Sequence, residues 1–256
     1  MESQVSLDAN KRYYLLDAIR GICILGMIVY HTLFDIVAFF GVPVDEKLIT
    51  VINVVRDFGA CCFICLAGIC IHFGKKPLKR IIKLFIAGGL VSAVTFFTVP
   101  EMPIYFGILT FMAVAGLVML PLKKLFDKAS PTVFAVLCFV LFILTFEASD
   151  GYIGYYGVFL TALPEFLYRN FFTAFLGFPF IGFATSDYYP LVPWIFMFFF
   201  GFFLWKLMKK STKLMKLFTF RIKPLEKVGK WSLYIYMAHQ PVILGILLLI
   251  FYLKNV

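Results

Sequence analysis

Charge is what this chain most lacks. Only 15% of its 256 residues are Asp, Glu, Lys or Arg, against 62% hydrophobic and 19% aromatic. A soluble domain is about a quarter charged. Polar side chains are therefore too few to coat a soluble globule of this size, and the bilayer is the natural solvent. Acidic residues are the scarcer sign, 14 against 24 Lys and Arg, for a formal net charge of +10. Nucleic acid is not the partner this excess implies. The cations fall between apolar stretches, where they set membrane orientation.

Other absences narrow the reading further. The six Cys all lie inside apolar stretches. Cys62-x-x-Cys65 has no second pair in an aqueous segment, so the thiols read as packing and no disulfide is expected. There are three His, and none has a second His in its own helix at ligand spacing, so no metal is expected. The chain has no internal repeat, no low-complexity tract and no separate soluble domain. No cleavable signal peptide is visible either. The first apolar stretch is longer than an h-region, carries charges, and lacks a small-x-small cleavage site.

What is present is a series of long apolar runs. Crossing a hydrocarbon core of about 30 Å takes about 20 residues of helix. Six runs meet that, at about 15–40, 51–73, 81–99, 103–122, 190–207 and 231–253. A seventh, 131–147, is slightly short but uninterrupted. The fold expected is all-α, a polytopic transmembrane helical bundle of about seven spans forming a single integral membrane domain over 1–256.

Lys11 and Arg12 precede the first span, and further cations cluster at 75–83, 123–128 and 206–230. These alternate loops belong on the cytoplasmic side, together with a short N-terminal segment, 1–14. The opposite loops hold Asp45, Glu46, Glu101, Glu147, Asp150, Glu165 and Asp187. Residues 148–189 are too long for a structureless loop and are rich in Tyr, Phe and Gly. The expectation there is a re-entrant or interfacial helical segment on the external face, with up to nine spans in all. The basic stretch 206–230 is the one sizeable cytoplasmic connection. A multi-pass protein of the plasma membrane is expected, with membrane lipid as a partner.

The first span carries the chemistry. Ionisable groups inside a span are costly and mark function by default. Asp17, Arg20, His31 and Asp35 all fall within about 60° of one another at 100° per residue, on one narrow helix face. His31 lies roughly 16 Å beyond Arg20 along the axis. His31 and Asp35 are an i,i+4 pair. A carboxylate there can accept one imidazole proton, fix the tautomer, and leave the other nitrogen as base or nucleophile. The bland reading is a buried His that satisfies a hydrogen bond, with Asp35 solvated. Four such residues on one face outweigh it.

Weaker candidates surround this face. Ser232, Tyr236 and His239 form a stripe on the last span, ahead of Gln240-Pro241, and read either as a path toward His31 or as interhelical glue. Arg56 and Asp57 near the outer end of the second span read as a structural ion pair or as substrate ligands. Asp187 opens the sixth span and reads as a helix cap or a substrate ligand. His72 reads as an interfacial residue.

The stretch Leu16-Asp-Ala-Ile-Arg-Gly21 followed by Ile22-Cys-Ile-Leu-Gly-Met-Ile-Val-Tyr-His31-Thr-Leu-Phe-Asp35 resembles the opening helix of the heparan-α-glucosaminide N-acetyltransferase catalytic domain-like family. Phe63-Ile-Cys-Leu-Ala-Gly68, Asp187-Tyr-Tyr-Pro-Leu-Val-Pro-Trp194 and Gly229-Lys-Trp-Ser-Leu-Tyr-Ile-Tyr-Met-Ala-His-Gln-Pro241 agree with it. The Arg20-x10-His31 spacing is shared with the wider transmembrane acyltransferase group. No counterpart of the large extramembrane domain of the eukaryotic acetyltransferase is expected within these 256 residues. The resemblance implies acetyl transfer from cytoplasmic acetyl-CoA to an amino sugar or glycan across the membrane. Under it, His31 takes the acetyl group or acts as base, and Asp35 orients His31. Arg20, with Asp17, Ser232, Tyr236 and His239, lines the acetyl-CoA path, and Asp187, Asp57 and Arg56 meet the acceptor. A homodimer stays open. The alternative reading is a small-solute or proton-coupled transporter, in which intramembrane Asp, His and Arg are equally expected. A structural membrane scaffold is a third reading, and it leaves the single-faced cluster unexplained.

Overall fold

Each long apolar run forms a helix, because a helix bonds its own backbone and leaves nothing polar for lipid to meet. The computed structural model describes residues 12–254. Of the expected 1–14 segment, residues 1–11, including Lys11, lie outside the described residues. Six described helices are long and apolar enough to cross a membrane. They are α1 (Tyr14–Ala38), α2 (Glu46–Ile69, extended by a 3₁₀ turn to Phe73), α3 (Pro77–Thr98), α4 (Ile108–Lys128), α7 (Leu191–Met208) and α10 (Ser232–Lys254). Between them lie α5 (Pro131–Leu144), α6 (Phe171–Leu176), α8 (Thr212–Phe218) and α9 (Lys223–Lys230). The chain is a polytopic helical membrane protein with one small sheet among its described residues.

The helix starts are legible locally. Pro77 and Pro131 occupy the first turns of α3 and α5, where the missing N–H costs nothing. Asn170 and Thr173 form a capping box on α6. The expected seventh span is α5, and its 14 residues reach only about 21 Å at 1.5 Å per residue.

Residues 148–189 differ from expectation. Their Tyr- and Gly-rich start is an antiparallel hairpin of β1 (Tyr152–Tyr155) and β2 (Val158–Ala162), with a bulge between Ile153 and Gly154. Tyr156 and Gly157 turn it with positive φ at both positions, the hairpin chemistry of a two-residue loop. The one α-helix in this segment, α6, has six residues and cannot cross a membrane. No extra spans arise here. The outward apolar side chains, Val158, Phe159, Leu160, Phe171 and Phe172, still suit an interfacial setting.

Two compact units divide the chain, and the boundary falls within α2. The first comprises the described parts of Met1–Ala60 and Met208–Val256. In it α1 packs along α9 near its start and along α10 further on. The α1–α9 crossing is close because Gly21 and Gly229 lack side chains. A Cβ on Gly21 would overlap the Leu225 carbonyl, and one on Gly229 would overlap the Asp17 carbonyl. Buried Glu226 fixes α9 by accepting two hydrogen bonds from Arg221, at 3.2 and 3.0 Å. The Arg221 guanidinium lies over the Tyr14 ring, 4.1 Å from its centre.

The second unit, Cys61–Leu207, is built on aromatic packing. Phe111, Phe142, Phe198, Phe202 and Phe203 are fully buried. α2 and α7 approach closely at Gly68 and Gly201, where a Cβ would meet the Phe198 and Cys65 carbonyls. Small residues at such crossings let backbones make van der Waals contact in a solvent that gives no hydrophobic drive. Helix α4 is capped from a distance at both ends. Asp187 accepts from the Ile108 N–H at 3.2 Å. Buried Lys206 donates to the carbonyls of Phe126, Asp127 and Ala129 at 2.7, 3.0 and 3.0 Å. An anion at the N-terminus and a cation at the C-terminus oppose the helix dipole at both poles.

Candidate active site

The polar face of α1 has two halves with different partners, both within the first unit. Near its start, Asp17 bridges two cations. Its carboxylate meets Arg12 at 3.0 Å and Arg20 at 3.1 Å, so the three side chains carry a net positive charge. This half lies against α9.

The second half lies against α10. The His31 and His239 rings meet with centroids 4.9 Å apart and planes at 60°. Their registers explain the meeting: His31 and Asp35 are one turn apart on α1, and His239 and Gln240 are consecutive on α10. Asp35 is completely buried. Both its oxygens accept from the Gln240 side-chain nitrogen, at 2.9 Å each. The expected Asp35–His31 hydrogen bond is not among those the described residues make. Asp35 instead accepts across the helix pair, holding the residue next to His239.

His239 is oriented from its own helix. Its Nδ1 bonds the Tyr236 carbonyl oxygen, and the Tyr236 ring lies 5.3 Å away. A carbonyl only accepts, so Nδ1 carries the hydrogen and the neutral ring keeps a bare lone pair on Nε2. That Nε2 is buried and has no hydrogen-bond partner among the described residues; the same holds for the Gln240 side-chain oxygen. Two adjacent unsatisfied polar atoms inside a span are costly, and such atoms need an explanation in a functional role or a ligand. Pro241, inside α10, removes one N–H from the helix ladder directly beyond them.

Tyr30 links the histidines to α2. Its ring stands edge-on to His31 at 5.3 Å, and its hydroxyl accepts from Arg56 at 3.2 Å. Arg56 also bonds Asp57 at 2.8 Å and Asn53 at 3.4 Å. Arg56 therefore has a structural set of partners one residue removed from His31.

The remaining sequence candidates have contacts of their own. Ser232 begins α10, two turns before His239. Asp187 belongs to the second unit, where it caps α4 beside a Gly107 that has no room for a side chain. His72 stacks on Phe202 at 4.3 Å, and its Nε2 meets the Phe202 carbonyl at 3.0 Å, a satisfied packing histidine. Among the described residues, no three His, Cys, Asp or Glu stand close enough to hold a metal ion. Gln240 is the site residue that composition and periodicity missed. Its signal was its position beside His239 in a Pro-broken helix, but its partner is 205 residues away.

Fold and site together define a multi-pass membrane protein with a half-buried, partly unsatisfied His–His–Gln–Asp cluster between its first helix and its last described one. The chain belongs to the heparan-alpha-glucosaminide N-acetyltransferase catalytic family, whose model matches residues 12–241. That range includes all four residues of the cluster. No curated protein and no solved structure matches the chain.

Proposed function

We propose that the chain moves an acetyl group from cytoplasmic acetyl-CoA to an amino-sugar or glycan acceptor on the other side of the plasma membrane. Family membership supports acyl transfer as the reaction class. The observation that carries the reading at the site is the half-buried His31–His239 contact with the buried, bare Nε2 of His239. Acyl transfer needs a nitrogen base or nucleophile sheltered from water, and this cluster supplies one.

The residues divide the work by depth. The Arg12–Asp17–Arg20 group keeps one net positive charge at the start of α1, suited to a phosphate of the donor. The acceptor amine or hydroxyl gives its proton to His31, or His31 takes the acetyl group first. Asp35 holds Gln240, and through it the turn of α10 that carries His239. The N-terminus is cytoplasmic in this arrangement, by the placement of Lys and Arg.

Membranes containing the protein should transfer label from acetyl-CoA to glucosamine. Acetyl-CoA should also raise the melting temperature of the purified protein by mass action, as it would not for a scaffold. A normally folded His31→Ala variant with full transfer would overturn the assignment.

A further inference from the structure

We infer that His239 is the proton partner of His31: as His31 takes a proton from the acceptor, the bare Nε2 of His239 receives one from the other nitrogen of His31 and delivers it to the departing thiolate. This rests on the acetyl-transfer reading above and assigns His239 a part in the chemistry that donor binding alone does not require.

Three features lead there. First, the tautomer of His239 is set, because its Nδ1 bonds a backbone carbonyl that can only accept. Nε2 is thus the acceptor end. Second, that acceptor is buried and unsatisfied by any described residue, while the His31 ring is in contact with the His239 ring. The group that best relieves an orphaned acceptor is a proton donor arriving on its neighbour. Third, the carboxylate best spaced to serve His31, Asp35, is already held by Gln240 through both oxygens. The ring contact that His31 makes is with His239, and the bond that Asp35 makes is with Gln240.

The other charged and titratable groups facing the two rings have their own partners. Asp35 is held by Gln240, and Arg56 by Asp57 and Tyr30. Tyr236 provides the carbonyl that orients His239. None of them offers a bare nitrogen.

The step balances. The acceptor nitrogen attacks the acetyl carbonyl carbon, a C–N bond forms, and the C–S bond breaks with its electron pair leaving on sulfur. The acceptor N–H proton passes to one nitrogen of His31. His31 releases a proton from its other nitrogen to His239 Nε2, and the thiolate takes it. Nothing is oxidised or reduced.

The test uses the full chain in proteoliposomes with labelled acetyl-CoA and glucosamine. His239→Asn keeps a donor for the Tyr236 carbonyl and deletes the basic nitrogen. It should lower kcat by about 100-fold or more, the usual share of a proton-transfer group, and leave KM for acetyl-CoA within about threefold. His239→Gly should be comparably slow, and added imidazole should restore turnover. A His239→Asn kcat within about threefold of the parent overturns the relay. So does a loss in both variants that follows a lowered melting temperature and does not respond to imidazole. Either result leaves acetyl transfer itself standing if the parent protein is active. A parent protein that transfers no acetyl group removes that reading, and the relay with it.

Discussion

The two units place the same kinds of residue in apolar surroundings and treat them differently. In the second unit, Lys206 gives its hydrogens to three carbonyls, Asp187 caps α4, and His72 has both a ring partner and a carbonyl. In the first unit, His239 and Gln240 each keep one buried polar atom without a described partner. A buried polar group must be bonded or it costs stability. A fully bonded group is explained by the fold that it holds. An unbonded one calls for something that fold does not contain, and that difference separates helix caps from candidate site residues here better than residue type does.

The largest effect that sharpens this contrast falls on His31. His31→Ala should reduce transfer of label from acetyl-CoA by about 10³-fold or more, within the range of a general base, with little change in melting temperature. The His31 side chain makes no hydrogen bond to another described residue, so its removal strands no partner. A melting temperature that drops sharply while transfer persists would place His31 with the caps instead.

Lys206→Met should behave in the opposite way. It strands three carbonyls at the end of α4 and removes a favourable dipole partner. A stability loss of about 2–3 kcal/mol is expected in denaturant or thermal unfolding, with kcat per folded molecule unchanged. A selective loss of kcat would break the comparison, because a bonded cap of the second unit would then act in the reaction.

Asp187→Ala tests the weaker version of the same point. As a cap it should cost about 1 kcal/mol and leave KM for glucosamine alone. A tenfold rise in that KM with unaltered stability would return Asp187 to the acceptor site, which the sequence motif alone allowed.

These residues also mark how far the sequence could be read. The spans were legible because length and hydropathy are properties of single segments, and bilayer thickness turns them into helices. The clustering on α1 was legible because helical phase follows from 100° per residue. The partners were not. Asp35 reads as a mate for His31 by local spacing, yet a residue on α10 competes for it, and no local rule reports a contact between the two ends of the chain. Lys206 reads as one more loop cation by the charge rule, yet it turns inward to cap α4. The hairpin at 152–162 is hard to foresee because Tyr and Gly fit membrane-interface composition as well as turn chemistry.

The smallest expected effect concerns Glu226, a cap-like residue within the first unit. Hydrogen bonds from Arg221 hold its carboxyl below the usual carboxylate range, with the Arg221 and Lys230 charges adding to the effect. The sign follows directly. A carboxylate with a lowered folded pKa stabilises the fold above its unfolded value, near 4.5, and that contribution is lost as pH falls through the folded value. Melting temperature should therefore decline as pH drops below about 4.5. Glu226→Gln should flatten that decline and begin from a lower midpoint at neutral pH, since the charge-assisted bonds to Arg221 are weakened throughout. Acetyl transfer at neutral pH should change little, because α9 braces α1 through Gly21 and Gly229 as well as through this pair. If the variant instead loses transfer at unchanged stability, the α1–α9 contact carries more than structure, and the line between bonded and unbonded residues would have to be redrawn inside the first unit.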